Sequence, residues 1–399
     1  MSLVSIVCPK AVRRPLKNTA QNHDRFDRAV ELHQAGAHLE AVEEAIRFVL
    51  GDEVKPTLRE EPLTFVQGSS RATISLEGDL LSIVVPLVRL TESGNPTAAL
   101  RYLLSRISGS GQLHQPRLRG DHVVLEFQDQ LSRLHPVKVI EVIRRVPVEA
   151  DNTDDWLIDQ FGVAPFNRVD IEALSTEEEA RAREIWSVHW KQIDELVKEA
   201  QRKRSMFFLN EVTAFAIHHV RYTLPLTGAL FARIAESANV FNDTEEDPQK
   251  RETVLNKCIR EMSSLSPEEL ARNLGHAHYA IMPQSEGKAE VLVNCLGNEE
   301  YMTSVQRLRT GGKHMEAAVA MIGSYNYLLA RFSWTPPLDA ALEAALESVS
   351  GRPFRETANT LWLNAKELVA QAKSRLDGPD VELDVEAGAD DLRTEGEPS

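Results

Sequence analysis

The chain has 399 residues, 42% hydrophobic and 26% charged, the balance of a soluble globular protein with room for two or three domains. Its formal net charge is −15, and −8 of that falls between Asp377 and Ser399, where nine acidic residues meet one Arg. That sign argues against a general nucleic-acid binder, which needs a basic surface.

The beginning, "MSLVSIVCPKAVRRPLK", places its short apolar run before its positive charges, the reverse of a secretory signal. No stretch approaches the roughly 18 apolar residues of a membrane span. Cys8, Cys258 and Cys295 are far apart and form no CxxC, which fits a reducing compartment. A cytoplasmic location, with no membrane or nucleic-acid partner, is the expectation. Residues 1–21 read as a basic, flexible arm carrying Arg13, Arg14 and Lys17, with Pro9 and Pro15 breaking any helix.

From His23 to Leu50 the apolar residues Phe26, Ala29, Val30 and Leu32, then Leu39, Val42, Ala45, Ile46 and Val49, recur at helical spacing around Gly36. The segment "GAHLEAVEEAI" at Gly36 is echoed by "GKHMEAAVAMI" at Gly312. A solenoid needs neighbouring copies at a short period. These two lie far apart, so shared helix-start chemistry explains them: a permissive Gly, then Glu in an early turn.

Between Thr64 and Phe161 the period becomes that of strands. Ala72, Ile74 and Leu76 alternate with polar residues, and Glu77-Gly78-Asp79 reads as a hairpin turn. Leu80–Leu90 is apolar on both faces, and Pro86 predicts a bulge or an unpaired edge. Asn95-Pro96 starts a helix with Leu100, Leu103, Leu104 and Ile107 on one stripe. A second hairpin turns at Gly120-Asp121, with Val123, Leu125 and Phe127 on one face. A last helix opens at His135-Pro136 and ends at Pro147, followed by a separate short amphipathic segment, "DNTDDWLIDQF". Its acids do not match a calcium loop, because Trp156 stands where the sharp-turn Gly belongs.

This order, with the Glu77-Gly78-Asp79 hairpin, the "VVLEF" strand and the amphipathic helix after it, resembles the class I type III secretion chaperones and the YbjN family. The resemblance covers residues 23–161. It implies an antiparallel sheet flanked by helices, often dimeric, that binds partner polypeptides and carries no enzymatic activity.

The second half reads as helical. Ser175-Thr176-Glu177-Glu178 is a capping box, and no Pro or Gly follows until Pro225. Trp186, Trp190, Ile193, Val197 and Ala200 form one stripe; Phe208, Val212, Phe215, His219 and Tyr222 form another. The polar "QRKRS" between them predicts a break. Further helices are expected at 226–238, 250–262, 267–274, 314–332, 336–349 and 355–376, with one strand at Lys288–Gly297. Residues 377–399 read as a disordered acidic tail whose loss leaves stability unchanged.

No histidine has an acid three residues before it and no two lie four apart, so helical metal motifs are missing. His219 reads as a hydrogen-bonded core residue, and Cys258 and Cys295 as inert. His276 and His278 project together from a loop after Gly275 and are the remaining metal or acid–base candidates. Thr310–His314 fails as a P-loop, and GxSxG and GxGxxG are absent.

The expected fold is α+β, an N-terminal antiparallel sheet flanked by helices and then a mainly α-helical domain. The boundaries are 1–21, 22–161, 166–376 and 377–399. The expected function is a non-enzymatic adaptor holding a protein partner, with a second copy of the chain as one candidate partner and no cofactor. Leu81, Ile83, Val84, Val85 and Leu87 of the doubly apolar strand are the expected partner-binding residues. The alternatives are an enzyme using His276 and His278, and a structural scaffold.

Overall fold

The computed structural model describes residues 3–14, 22–107, 113–243, 245–281 and 284–376. The fold is α+β: an antiparallel sheet in the first half, then a helical assembly. The acidic segment 377–399 lies outside the described residues.

Helices α1 (His23–Gln34) and α2 (His38–Leu50) precede strands β1 (Leu63–Gly68), β2 (Ser70–Glu77) and β3 (Leu80–Arg89). Then come α3 (Pro96–Ile107), β4 (Gln115–Arg119), β5 (His122–Gln130) and α4 (Pro136–Phe161). The strand order is β4-β5-β3-β2-β1. Both expected hairpins form, with Gly78 at φ 60° and Gly120 at φ 64°, backbone that only Gly adopts freely. The β3–β5 register slips between Pro86 and Val88, the bulge that Pro86 predicted. Helix α4 covers the inner face, and α2 packs on α4.

α4 differs from expectation. It runs unbroken through Pro147 for 26 residues. Pro147 forfeits one helical hydrogen bond. Ile140, Ile143 and Val146 before it and Ala150 and Leu157 after it are nevertheless all buried on one core, and that burial outweighs the lost bond.

In the second half α5 (Thr176–Lys203) starts on the Ser175–Glu178 capping box. It ends where "QRKRS" forecast a break, with Arg204 left-handed at φ 51° and α6 (Met206–Thr223) restarting behind the Ser205 cap. Next come α7 (Gly228–Asn242), α8 (Pro248–Ser263), α9 (Pro267–Arg272), α10 (Ala289–Leu296), α11 (Glu299–Thr310), α12 (His314–Arg331), α13 (Pro336–Val349) and α14 (Phe354–Leu376). α12 is the axis of this unit, buried almost all round against α6, α11, α13 and α14. A Cβ at Gly323 would just reach van der Waals contact with the α6 backbone, 3.7 Å from Phe215 N. Lys288–Gly297, expected as a strand, is helix α10. Its Leu292 and Leu296, four residues apart, point into the core.

The Gly36 and Gly312 segments share one local structure. Each Gly has positive φ, 80° and 74°, and each joins two helices that pack on each other. Ala37 N–H donates to Leu32 O, and Lys313 N–H donates to Leu308 O, closing the preceding helix in the same way.

Two hydrophobic cores form. One gathers residues from Ala29 to Val163, the other residues from Ala182 to Ala372, but the units exchange segments. Strand β7 (His278–Tyr279), from the helical half, pairs with β1, and Ile281 enters the sheet's core. Strand β6 (Ala164–Pro165) adds to the end of β3. In return the N-terminal segment buries Ile6, Cys8 and Val12 in the helical core. The expected flexible arm is thus corrected for residues 3–14. Alternating apolar side chains let an extended segment seal a groove between helices, whereas residues 15–21 lie outside the described residues.

Candidate functional site

The structure sorts the five expected partner-binding residues by face. Leu81, Ile83, Val85 and Leu87 are wholly buried. β3 is a central strand between β2 and β5, and α4 lies on the face these four present. They are core. Val84 points the other way, half-buried, between Thr73 of β2 and Glu126 of β5. Past the bulge Val88 pairs with Val123 and joins the same core, beside Pro165 of β6.

The second face of the sheet is polar. Thr64 and Thr73 hydroxyls lie 3.4 Å apart. Gln128 donates to Ser82 and Glu126. The Glu126 side chain, 8% exposed, sits beneath Arg119 at 2.6 Å and Arg117 at 3.7 Å. A face lined by Thr, Ser, Gln and Arg belongs to solvent or to a polar partner. At its margin β4 is the outermost strand, exposed at four of five positions. Leu118 on β4 is 57% exposed and Leu104 on the neighbouring α3 is 60% exposed. Pro116 has no N–H to offer, which keeps this edge from pairing without limit.

The histidine candidates separate. His276 N–H donates to Glu172 O at 2.8 Å, and its Nε2 lies 3.4 Å from Glu178 Oε1. Glu178 is the capping-box acid, held below the usual carboxylate range by the Ser175 backbone and hydroxyl. His276 therefore ties the loop to the start of α5. His278, exposed, is spent on pairing with Gly68. Among the described residues no three His, Cys, Asp or Glu side chains gather as a metal site.

His219 is the core residue expected. Its ring lies 3.1 Å from Asn326 Oδ1 and stacks on His189 at 4.8 Å. His189 Nε2–H donates to Ala216 O at 2.9 Å. Burial drives His219 down to about 4, His218 to about 3 and His189 well below its ordinary value. All three stay neutral inside the helices. Burial also raises the Cys8 and Cys295 thiols to about 12, so neither is a thiolate at neutral pH.

A polar junction that the sequence did not reveal joins the two units. Asp151, Asp154 and Asp155 of α4 gather around the β1–β2 turn, Arg168 and the start of α7. Ser69 donates through its N–H to Asp151 at 2.7 Å and through its hydroxyl to Asp151 and Asp154 at 3.0 Å. Arg168 bridges Asp154 at 3.0 Å and Asp155 at 2.5 Å. Burial pushes the Asp154 carboxyl up to about 8, against the pull of Arg168. These three acids are the "DNTDD" stretch. Their i, i+3 and i+4 spacing on one helix face was the available signal.

No family model matches the chain, and no curated protein matches it.

Proposed function

We propose that this protein is a non-enzymatic binding protein that holds another polypeptide, adding an extended segment of it to the free edge of the sheet at β4. The observation that carries the reading is the open edge itself, with exposed Leu104 and Leu118 beside it. The sheet accepts added strands twice within the chain, β6 on β3 and β7 on β1, so its edges are already used in this way. His189, His219 and Cys8 are sealed and neutral in the helical core, which also favours binding over chemistry there. The resemblance of residues 23–161 to secretion chaperones and YbjN proteins points the same way, and a second copy of the chain is one partner the edge would accept. Three free cysteines suit the cytoplasm; no helix among the described residues is long and apolar enough to cross a membrane.

The test is a native purification with mass spectrometry of the wild type and of Leu104→Lys with Leu118→Lys. A stoichiometric polypeptide should accompany the wild type and be lost from the double variant, with far-UV circular dichroism and melting unchanged. Equal capture by both would sink the assignment to β4.

A further inference from the structure

The segment Leu3–Arg14 lies extended in a groove formed by α5, the end of α6 and the turn after α13. The groove reads mainly its backbone. Gln192 Oε1 accepts from Val7 N–H at 2.6 Å, and Gln192 Nε2 donates back to Val7 O at 3.4 Å. Cys8 N–H donates to Ser350 Oγ at 2.9 Å, and Gly351 N–H donates to Ile6 O at 2.8 Å. Arg181 donates to Lys10 O, and Val12 N–H donates to Thr223 O at 2.7 Å. Only Ile6, Cys8 and Val12 are buried; Val4 is 74% exposed and Val7 41%. At the far end the Arg13 guanidinium donates to Arg221 O at 2.9 Å, and Arg14 grips Glu172 with both terminal nitrogens. At the near end a cleft of about 210 Å3 opens at Leu3 along α5, lined by Glu195, Lys198, Glu199, Arg202 and Met315.

We infer that this groove is a second polypeptide-binding site, and that Leu3–Arg14 sits in it as a built-in competitor of an extended client segment. Seats that read backbone accept different side chains; the pockets beneath them set the pattern. Here the pattern is an apolar residue, a small apolar residue two positions on, a second apolar residue four positions beyond that, and a pair of arginines directly after it. Three buried side chains and a short set of hydrogen bonds hold the strap, whereas a whole core surrounds α12, so the strap opens locally at lower cost than the helices unfold. The cleft at Leu3 gives a longer client additional contact. The inference rests on the reading of the chain as a polypeptide-binding protein but uses a different surface. Leu118→Lys leaves the groove intact, so failure of one site is told apart from failure of the other.

The test uses the full chain and a fluorescein-labelled peptide of residues 1–14. Native-state hydrogen exchange should show the Val7, Cys8 and Val12 amides exchanging at least tenfold faster than those of α12. The labelled peptide should bind saturably in fluorescence anisotropy. Ile6→Asp should act oppositely in the two molecules: in the peptide it abolishes binding, and in the chain, where it lifts the strap, it tightens binding at least tenfold. Arg14→Ala in the chain, a surface change that loosens the strap without touching the core, should tighten it several-fold and covers the case in which Ile6→Asp misfolds. The inference is overturned if the strap amides exchange no faster than α12. It is also overturned if the peptide fails to bind the Arg14→Ala chain, or if the Ile6→Asp peptide binds as well as the native one.

Discussion

Ile83 and Val84 are neighbours in sequence and opposites in environment. Ile83 is wholly buried between Ile74 and Phe127, whereas Val84 faces Thr73 and Glu126 on the open side. Ile83→Glu places an unpaired carboxylate in the core and should cost more than about 3 kcal/mol, enough to unfold a marginal domain. Val84→Glu should cost about 1 kcal/mol, mostly from repulsion by Glu126. Urea melts of the two variants distinguish them, and equal losses would mean that the open face is covered. His219 gives a second test. Its folded pKa of about 4 lies below the ordinary 6.5, so as pH falls the unfolded chain takes up the proton first. Stability from this group is complete above 6.5 and drains away between 6.5 and about 4, by on the order of 3 kcal/mol. Asp154 and Glu211, raised to about 8 and about 7, act the other way: stability is complete below about 4 and is lost as pH rises. The readout must therefore be differential. Between pH 6.5 and 4 the wild type should lose more urea resistance than His219→Asn, whatever their absolute stabilities. Parallel curves would show that His219 titrates normally.

The turns and junctions of the elements have different tolerances. Gly68, Gly78 and Gly228 all have positive φ, near 60°. A Cβ at Gly78 meets open space, whereas at Gly68 it would fall 2.0 Å from Asp151 Oδ2 and at Gly228 1.9 Å from Asp155 Oδ2. Gly78→Ala should cost only the left-handed strain, about 1–2 kcal/mol. Gly68→Ala and Gly228→Ala must also displace carboxylates that hold Ser69 and Arg168, and should cost at least about 1 kcal/mol more. Thermal melts would rank them, and equal costs for all three would show that the junction gives way freely. Local chemistry announced the Gly78 turn, the Ser175 cap and the break at Arg204, because each depends on a few adjacent residues. It misled at α4 and α10. Pro147 normally ends a helix, and "EVLVNCL" suits a strand as well as a helix. Only packing decided both, through Ala150 and Leu157 beyond the proline and through Leu292 and Leu296 facing the core. The same limit hid the β3 assignment: a strand apolar on both faces does not say what covers either one. The Ser69–Asp151 contact and the Gln192 clamp pair residues far apart in the chain; the shared helix face of the acids is visible in the spacing, but no periodicity names such distant partners.

The two cores trade pieces, and this shapes how the chain comes apart. Ile281 and β7 leave the helical half for the sheet; Ile6, Cys8 and Val12 leave the N-terminus for the helices. The connection between them is itself anchored. Val163 is buried, Ala164–Pro165 pairs with β3, Val169 N–H donates to Ser69 O at 2.9 Å, and Arg168 enters the acidic junction. α7 packs on α4 besides. The expected boundary falls between residues 161 and 166, but the backbone there has partners on both sides. A chain with a protease site inserted after Asn167 should therefore, once cut, remain one particle in size-exclusion chromatography at neutral pH. Its two pieces should separate only in denaturant, because the exchanged strands and strap still bind them together. Separation in native buffer would mean that the swapped segments contribute little. The units would then be independent domains on a tether. Burial argues otherwise: Ile6 and Val12 in one direction and Ile281 in the other, each at about 1.5–3 kcal/mol, far exceed what a solvated linker contributes.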